Sequence, residues 1–518
     1  MARPFDFGEV NLTAGGDDSP ATPQSETPFC VAILGDFSGR TSRGVSEPGS
    51  IADRRAVLVD RDNFDEVLAK ISPEIHLQLG GTASAVSLQF SELDEFHPDR
   101  LFERAPLFQR LQAIRARLQD PASFRAAVEE LGLGSSPPAP AKPHASEPPP
   151  SVASAVPRVA AGNLLDQMIE QTETQDSGGR PRRAPDELRD FVRRVTEPHL
   201  IAAADPRRTE VVEAIDRAIS AQMRAVLRAP DFQALEATWR AVFLLVRRIE
   251  TDSQLRLYLI DISREELAAD LETSSDLRAT GIYRRLVEKS VGTPGAEPWA
   301  LIAGNYAFGP ERKDAELLGR FAKIAAAAGA AFLAAASPRL LGCISLAATP
   351  EPRDWKPPQD ADGASAWAAL RRLPEATGIG LALPRFLLRL PYGRKTDPIE
   401  SFDFEEMPDT PSHENYLWGN PAFVCALLLA QSFSEYGWDL RPGVISQLDG
   451  LPLHIYEQNG ESALQPCGEA LLTENAAEHI LERGLMPLVS FKGKDTVRLV
   501  RFQSIAEPLR ALAGRWKQ

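Results

Sequence analysis

Two short stretches contain the residue types of known catalytic loops, and their spacing decides what they predict. Residues 35–39, Gly-Asp-Phe-Ser-Gly, follow an apolar run, but their serine stands one place later than the nucleophile turn of hydrolases requires. Residues 493–495, Gly-Lys-Asp, resemble the end of a phosphate-binding loop. However, Leu488 stands where the first glycine of that loop belongs, and Asp495 replaces its magnesium-binding hydroxyl. Both stretches therefore predict ordinary turns.

Metal ligands and thiols show no catalytic spacing either. His413 and Glu414 begin like a zinc-protease helix, but no second histidine follows at the required distance. The four cysteines are far apart and form no C-x-x-C pair, which predicts buried free thiols in a reducing compartment: Cys30, Cys343, Cys425 and Cys467. We therefore expect no metal, no cofactor and no enzymatic activity. A triad assembled from distant residues leaves no local pattern, so an enzyme stays the last of the alternatives.

Composition narrows the class of protein. A chain of 518 residues with 43% hydrophobic and 25% charged residues predicts a globular protein of two to four domains. The net charge of −15 argues against a nucleic-acid partner. The first ten residues lack the apolar core of a secretory signal, and the apolar run at 324–336 is too short to span a bilayer. We expect a cytoplasmic protein without membrane insertion.

A proline-rich stretch divides the chain. Eight prolines crowd residues 134–162, which predicts an extended, semi-rigid spacer between a front part and a back part. Six arginines follow between residues 180 and 194. Two interpretations of these arginines stay open: a solvated connector, and a docking strip for an acidic partner surface.

Hydrophobic periodicity predicts strands and helices in both parts. In the front part we expect strands at 29–34, 55–60, 74–79 and 86–90, a helix from Asn63 capped by Asp62, and helix over 98–118. In the back part we expect helices at 209–227, 232–249, 313–327 and 422–436, and strands at 255–262, 299–304, 453–456, 487–491 and 497–502. The run at 324–336 is predicted to be a buried helix leading into a strand.

Longer stretches are more specific than these patterns. Residues 28–39 resemble the opening of the small sheath subunit of type VI secretion systems (TssB or VipA type), and 59–68 and 93–99 follow in that family's order. Further stretches resemble the large sheath subunit (TssC or VipB type), also in its order: residues 232–240, 381–393, 402–406, 413–414 and 417–420. The most distinctive is 381–393, Leu-Ala-Leu-Pro-Arg-Phe-Leu-Leu-Arg-Leu-Pro-Tyr-Gly.

The resemblance implies an α/β (α+β) fold built from two sheath-subunit-like modules. The implied boundaries are an amino-terminal tail at 1–28 with an exchange strand at 5–12, a small-subunit module at 29–133, the linker at 134–162, a helical arm at 163–252, and a large-subunit α/β domain at 253–518. Fusion in one chain would set the ratio of the modules at one to one and raise their effective concentration.

The function that the resemblance implies is structural. In the family, small and large subunits form a heterodimer whose sheets join, and exchanged strands connect protomers around an inner tube. The implied partners are other sheath protomers, the inner tube protein, baseplate components and a Clp-type AAA+ ATPase. The large-subunit family continues well beyond the stretch around residues 492–504, whereas this sequence ends at Gln518. This difference in length implies an alternative function: a non-polymerising cap, adaptor or assembly regulator of the same machine.

Residues 163–172 are predicted to form a short amphipathic helix. Its apolar face consists of Leu164, Leu165, Met168 and Ile169. Two interpretations stay open. A stretch this short often packs on its own domain, but it also resembles the helix of the large subunit that a Clp-type ATPase grips to dismantle contracted sheaths. Helix-in-groove binding would use these four side chains as anchors.

Overall fold

In a computed structural model of the chain, the described residues are 5–10, 23, 26–78, 86–120, 123–130, 207–291, 296–356, 360–408 and 410–516. Three predicted features lie outside these ranges: the spacer at 134–162, the amphipathic helix at 163–172 and the arginines between 180 and 194. Residues 79–85, which include the end of the strand predicted at 74–79, also lie outside them.

The described residues alternate between helices and strands. The helices of seven or more residues are α1 (Phe64–Ile71), α2 (Pro98–Arg104), α3 (Pro106–Gln119), α4 (Phe124–Glu130), α5 (Arg207–Leu227), α6 (Pro230–Arg248), α7 (Arg264–Glu272), α8 (Arg312–Ala327), α9 (Ala361–Arg371), α10 (Pro421–Tyr436) and α11 (Glu474–Glu482). The strands are β1 (Phe29–Gly35), β2 (Val57–Val59), β3 (Glu74–Leu77), β4 (Val86–Gln89), β5 (Leu255–Asp261), β6 (Trp299–Phe308), β7 (Ala331–Ala336), β8 (Ile379–Leu383), β9 (Phe386–Leu387), β10 (Trp418–Gly419), β11 (Gln447–Leu448), β12 (His454–Gln458), β13 (Glu461–Gln465), β14 (Met486–Ser490) and β15 (Val497–Leu499).

Nine of these strands form one sheet in the order β11-β15-β14-β8-β7-β6-β1-β5-β2. The six strands from β14 to β5 are parallel, and β2, β15 and β11 at the two ends pair antiparallel. The front strand β1 lies between β6 and β5 of the back part. Of the front strands, only the antiparallel pair β3–β4 forms a sheet of its own. The front part therefore shares the main sheet of the back part.

Strand β1 is apolar along its whole length because helices cover both faces of the sheet. Successive side chains point to opposite faces, so alternate residues enter two separate cores. Phe29, Val31 and Ile33 pack in the core that contains α5, α6 and α10. Ala32 and Leu34 pack in the core that contains α7, α8 and α9. Helices α5 and α6, predicted as an arm, thus contribute buried residues to the first core.

The apolar helix α10 is buried along most of its length, as predicted. The run at 324–336 is also as predicted, because α8 ends at Ala327, Gly329 adopts a φ of +68°, and the buried strand β7 follows. Along the part of the chain that the structure describes, no helix combines the length and apolarity needed to cross a bilayer.

Two local predictions for the front part were wrong in detail. The helix predicted over 98–118 is two helices, because Pro106 begins α3 and the preceding Ala105 is extended. A residue before proline is sterically pushed out of the helical region. Helix α1 begins at Phe64 rather than Asn63, and Asp62 does not cap it. Asn63 takes the cap position, but its side chain instead accepts a hydrogen bond from the Asp60 backbone N–H.

All four cysteines are buried free thiols, as predicted. Burial raises the pKa of Cys30 to about 12 and that of Cys467 to about 11. Because a thiol reacts as its thiolate, these pKa values fit inert packing residues.

Candidate functional site

The front and back parts meet around Trp239 of α6. This indole is fully buried, and its N–H donates a hydrogen bond to the carbonyl oxygen of Phe37, 2.9 Å away, just after β1. The rings of Phe37 and Phe64 pack edge-on against it, with centroids 5.8 and 5.9 Å away. Trp239 therefore ties a helix of the back part to the front part by packing and by a buried hydrogen bond.

Asp261 ends β5 and holds the bend that follows β1. Its carboxylate accepts hydrogen bonds from the backbone N–H groups of Phe37 and Ser38, at 2.8 and 3.1 Å, and from the Ser38 hydroxyl at 2.7 Å. Burial raises the pKa of Asp261, and these hydrogen bonds to the carboxylate oppose that rise. The serine of the Gly-Asp-Phe-Ser-Gly stretch is thus a structural donor within a bend.

Glu266 of α7 is a buried hub for front-part groups. Its carboxylate accepts from the Arg54 guanidinium at 2.6 and 2.8 Å, from Arg40 at 2.9 Å and from the Glu47 backbone N–H at 2.8 Å. It also completes a capping box with Ser263. Burial disfavours the ionised form of Glu266, but the hydrogen bonds, chiefly from Arg54, outweigh burial and lower its pKa to about 2.

Replacing Glu266 with glutamine is expected to reduce the acid sensitivity of folding. Its pKa is lowered from 4.5 to about 2 in the folded chain, so its stabilisation is full above pH 4.5 and is lost as the pH falls towards 2. Wild type should exceed the variant by roughly 3 kcal/mol in free energy of unfolding at pH 7 and by almost nothing near pH 2. Urea unfolding across this range, with the exposed Glu250→Gln as control, measures the difference. A difference that stays constant with pH would contradict the assignment.

Two further contacts join helices of the two parts. The Arg115 guanidinium in α3 donates to the Asp216 carboxylate in α5 at 2.5 and 3.2 Å. The Asp99 carboxylate in α2 accepts from the backbone N–H groups of Glu400 and Ser401, at 3.2 and 2.9 Å. Burial opposes ionisation of Asp99, but the backbone hydrogen bonds lower its pKa. The junction therefore extends from the sheet to the outer helices.

A cluster of buried charges anchors the distinctive stretch 381–393. Arg389 lies 2.8 Å from Glu236 and 2.8 Å from Glu406, and all three side chains are buried. Arg240 donates to Glu236 at 2.7 Å and to the Tyr392 hydroxyl at 3.0 Å. Burial alone would raise the pKa of Glu236, but the neighbouring Arg389 and Arg240 lower it. These ion pairs favour the ionised form of Glu236 and link α6 to two loops of the back part.

The other stretches that resembled catalytic motifs also have structural roles. Gly493 occupies a turn between β14 and β15, with a φ of +72°. His413 begins a short 3-10 helix. Its ring stacks on Trp418, and its Nε2 atom lies 3.2 Å from Glu469 Oε1. Within the described ranges, no group of three or more His, Cys, Asp or Glu side chains is placed to hold a metal ion. The described arrangement is thus suited to holding two modules together.

Sequence reasoning did not assign the roles of Asp261, Glu266 or the charge cluster. One local signal was present, because Ser263 and Glu266 have the capping-box spacing. The other partners are distant in sequence: Glu236 and Arg389 are 153 residues apart, and Ser38 and Asp261 are 223 apart. Such pairs leave no periodic pattern.

Comparisons with known proteins match the front and back parts of the chain to two families. The family model described as "EvpB/VC_A0108, tail sheath N-terminal domain" matches residues 209–506, which is more than half of the chain. A second model, "Type VI secretion system, VipA, VC_A0107 or Hcp2", matches residues 10–130. The chain is 36% identical over 304 residues to the type VI secretion system sheath protein TssC1 of Pseudomonas aeruginosa, an alignment that covers 58% of this chain and 61% of that relative. The predicted resemblance is confirmed, and the chain belongs to the type VI secretion tail sheath family, with a VipA-type module fused in front of a VipB-type module.

Proposed function

We propose that this protein is a structural subunit of a contractile type VI secretion sheath, in which one polypeptide supplies both halves of the protomer. The observation that carries the proposal is the position of β1, which pairs in parallel with β5 on one side and with β6 on the other. A strand with neighbours on both sides cannot leave without breaking two ladders and opening two cores. The two modules therefore act as one rigid body.

We propose that the small-subunit module occupies residues 29–133 and the large-subunit module residues 163–518, joined by a linker at 134–162. Residues 163–252 form the helical arm of the large-subunit module. A contractile sheath stores energy in two alternative packings of rigid bodies, and it needs no chemistry within the subunit. The buried charge cluster around Arg389 and the Glu266 hub support this role, because they make each protomer stiff. We accordingly propose that the protein is not an enzyme and that it works in the cytoplasm.

The proposed partners are further copies of the protomer, the inner tube protein and baseplate components. Negative-stain microscopy of the full chain mixed with the cognate inner tube protein should reveal sheathed tubes, wider than bare inner tubes. The Ile33→Asp variant places a charge at a fully buried position of β1 and should leave inner tubes bare.

Two other outcomes of this experiment are informative. Particles confined to tube ends would favour a cap, adaptor or assembly regulator over a sheath subunit. Failure of the wild-type chain to decorate tubes at any salt or protein concentration would contradict both functions.

We propose, finally, that residues 163–172 dock a Clp-type AAA+ ATPase through Leu164, Leu165, Met168 and Ile169. The proposal rests on family membership and on the apolar face of this stretch, and the ATPase would have to engage it as an internal loop. A peptide of residues 162–174 should bind the N-terminal domain of the cognate ATPase. The Leu165→Asp, Ile169→Asp peptide should bind at least about tenfold more weakly, which corresponds to 1.4 kcal/mol. Equal affinities would remove the proposal.

A further inference from the structure

The amino-terminal residues 5–10 lie against one face of helix α8, far from them in the chain. The α8 residues involved are Arg312, Glu316, Gly319, Arg320 and Lys323. At 3.6 residues per turn these five positions fall within an arc of about 100°. The five residues therefore form one continuous face of α8, and this face together with Ser275 and Leu277, which pair with Glu9, is here called the groove.

Charge recognition centres on Asp6. The Arg320 guanidinium is buried and donates to the Asp6 carboxylate at 2.5 Å and to the Asp6 carbonyl oxygen at 3.1 Å. Arg320 also donates to the carbonyl oxygen of Leu271, which fixes its orientation. Asp6 is thus the carboxylate partner of a buried, pre-oriented cation, and such charge-assisted hydrogen bonds are the strong ones.

Aromatic side chains on either side of Asp6 define the shape of the groove. The Phe5 ring lies under the Arg312 guanidinium, 5.0 Å from its centre. The Phe7 ring lies directly on Gly319, where an added Cβ would stand 2.3 Å from Phe7 Cδ1. A glycine in the middle of a helix costs about 1 kcal/mol relative to alanine. The close approach of the Phe7 ring explains why a glycine nevertheless stands at position 319.

The backbone of the segment is also held. Gly8 adopts a φ of +63°, and its carbonyl oxygen accepts from Lys323 Nζ at 2.6 Å. The Glu9 backbone exchanges hydrogen bonds with Ser275 and Leu277, at 2.7 and 2.9 Å. Each residue of the aromatic-acidic-aromatic-glycine sequence thus has its own contact on α8: Phe5 with Arg312, Asp6 with Arg320, Phe7 with Gly319 and Gly8 with Lys323.

We propose that this groove is a recognition site for peptides of the pattern aromatic-acidic-aromatic-glycine, and that residues 5–10 occupy it in cis as a releasable clasp on the second module. Side chains supply most of the contacts, whereas only Glu9 pairs with a neighbouring backbone. Asp6 and Glu9 remain largely exposed. The segment can therefore leave without breaking a ladder of the main sheet.

The connection to β1 favours the chain's own segment as occupant. Residues 11–25 separate the segment from residue 26, and fifteen residues span at most about 50 Å. Tethering over such a length gives an effective concentration on the order of millimolar, which exceeds the concentration of any free copy in solution.

The proposal is tested with a fluorescein-labelled peptide of residues 1–12 and the full chain carrying Phe5→Ala, Asp6→Ala and Phe7→Ala, which removes the three side chains that contact α8 and so vacates the groove. Fluorescence anisotropy should show saturable binding. Wild-type chain should bind the peptide at least about tenfold more weakly, because its own segment fills the groove. Adding Gly319→Ala to the vacated chain should also weaken binding at least about tenfold, although alanine favours the helix. The matched control is Lys313→Ala, an exposed position on α8 outside the groove.

Three results would overturn the inference. A scrambled peptide that binds as well as the native one would exclude sequence recognition. Undiminished binding to the Gly319→Ala chain would place the peptide elsewhere. Equal binding by wild-type and vacated chains would show that residues 5–10 do not occupy the groove in cis. Thermal unfolding of each variant separates these results from loss of the fold.

Discussion

Replacing Arg389 with alanine is expected to lower the free energy of unfolding by about 3–5 kcal/mol. Arg389 neutralises Glu236 and Glu406, which are 0% and 1% exposed. Removal of the guanidinium would leave Glu406 without its cation and Glu236 with Arg240 alone, both at buried positions. The pKa of Glu236 would then rise, because Arg389 no longer opposes the effect of burial, so the variant should also lose stability further as the pH increases from 5 to 8.

The control is Arg394→Ala in the same region of the chain. Arg394 also pairs with a carboxylate, that of Asp403 at 2.5 Å, but the two side chains are 73% and 69% exposed. Exposed pairs of this kind contribute about 0–1 kcal/mol. Urea unfolding of both variants at pH 5 and pH 8 gives the comparison. Similar small losses for Arg389→Ala and Arg394→Ala would show that the buried cluster does not stabilise the fold.

Cutting the chain within the spacer is expected to leave the two modules bound to each other. A protease site inserted near Ala145 would cut between residues 130 and 207, outside every contact described for the junction. The main sheet, the Trp239 anchor and the Glu266 hub would all remain. Because such an interface is continuous with a core, the cleaved halves should elute from a sizing column as one species at micromolar concentration, as obligate pairs do.

The variant that tests the role of β1 in this association is Ile33→Asp. Ile33 is fully buried in β1, an inner strand of the main sheet, so the charge should separate the cleaved halves or prevent their joint folding. Leu58→Asp, on the edge strand β2 with its side chain 43% exposed, serves as control and should leave the halves together. Two independent peaks from the cleaved wild-type chain would contradict the junction. Circular dichroism of each uncleaved variant distinguishes separation from unfolding.

Local patterns in the sequence predicted most elements of the fold. Strands at 255–262 and 299–304 and helices at 209–227, 313–327 and 422–436 agree with β5, β6, α5, α8 and α10. These segments were predictable because helical and strand periodicity are properties of neighbouring residues. The failures were local as well: Pro106 divides a helix that periodicity alone made continuous, and the cap of α1 stands one residue late.

The family, too, was predictable from the sequence, because ordered stretches such as 28–39 and 381–393 are long enough to be specific. They carried the prediction of two modules with joined sheets. They did not indicate which strands join. The continuous apolar run of β1 shows that the strand is buried on both faces, but its neighbours β5 and β6 begin more than 220 residues later.

Tertiary structure alone decided the composition of the junction. Trp239, Asp261 and Glu266 become functional contacts only when β1 enters the sheet beside β5. Arg389 acquires its two carboxylates only when α6 and the loop after 393 pack together. The same holds for residues 5–10: the resemblance implied an exchange strand at 5–12, but nothing in the sequence indicated that these residues would lie against α8. A sequence records local preference, whereas the energy of a buried pair depends on distance and dielectric, which only the packed chain sets.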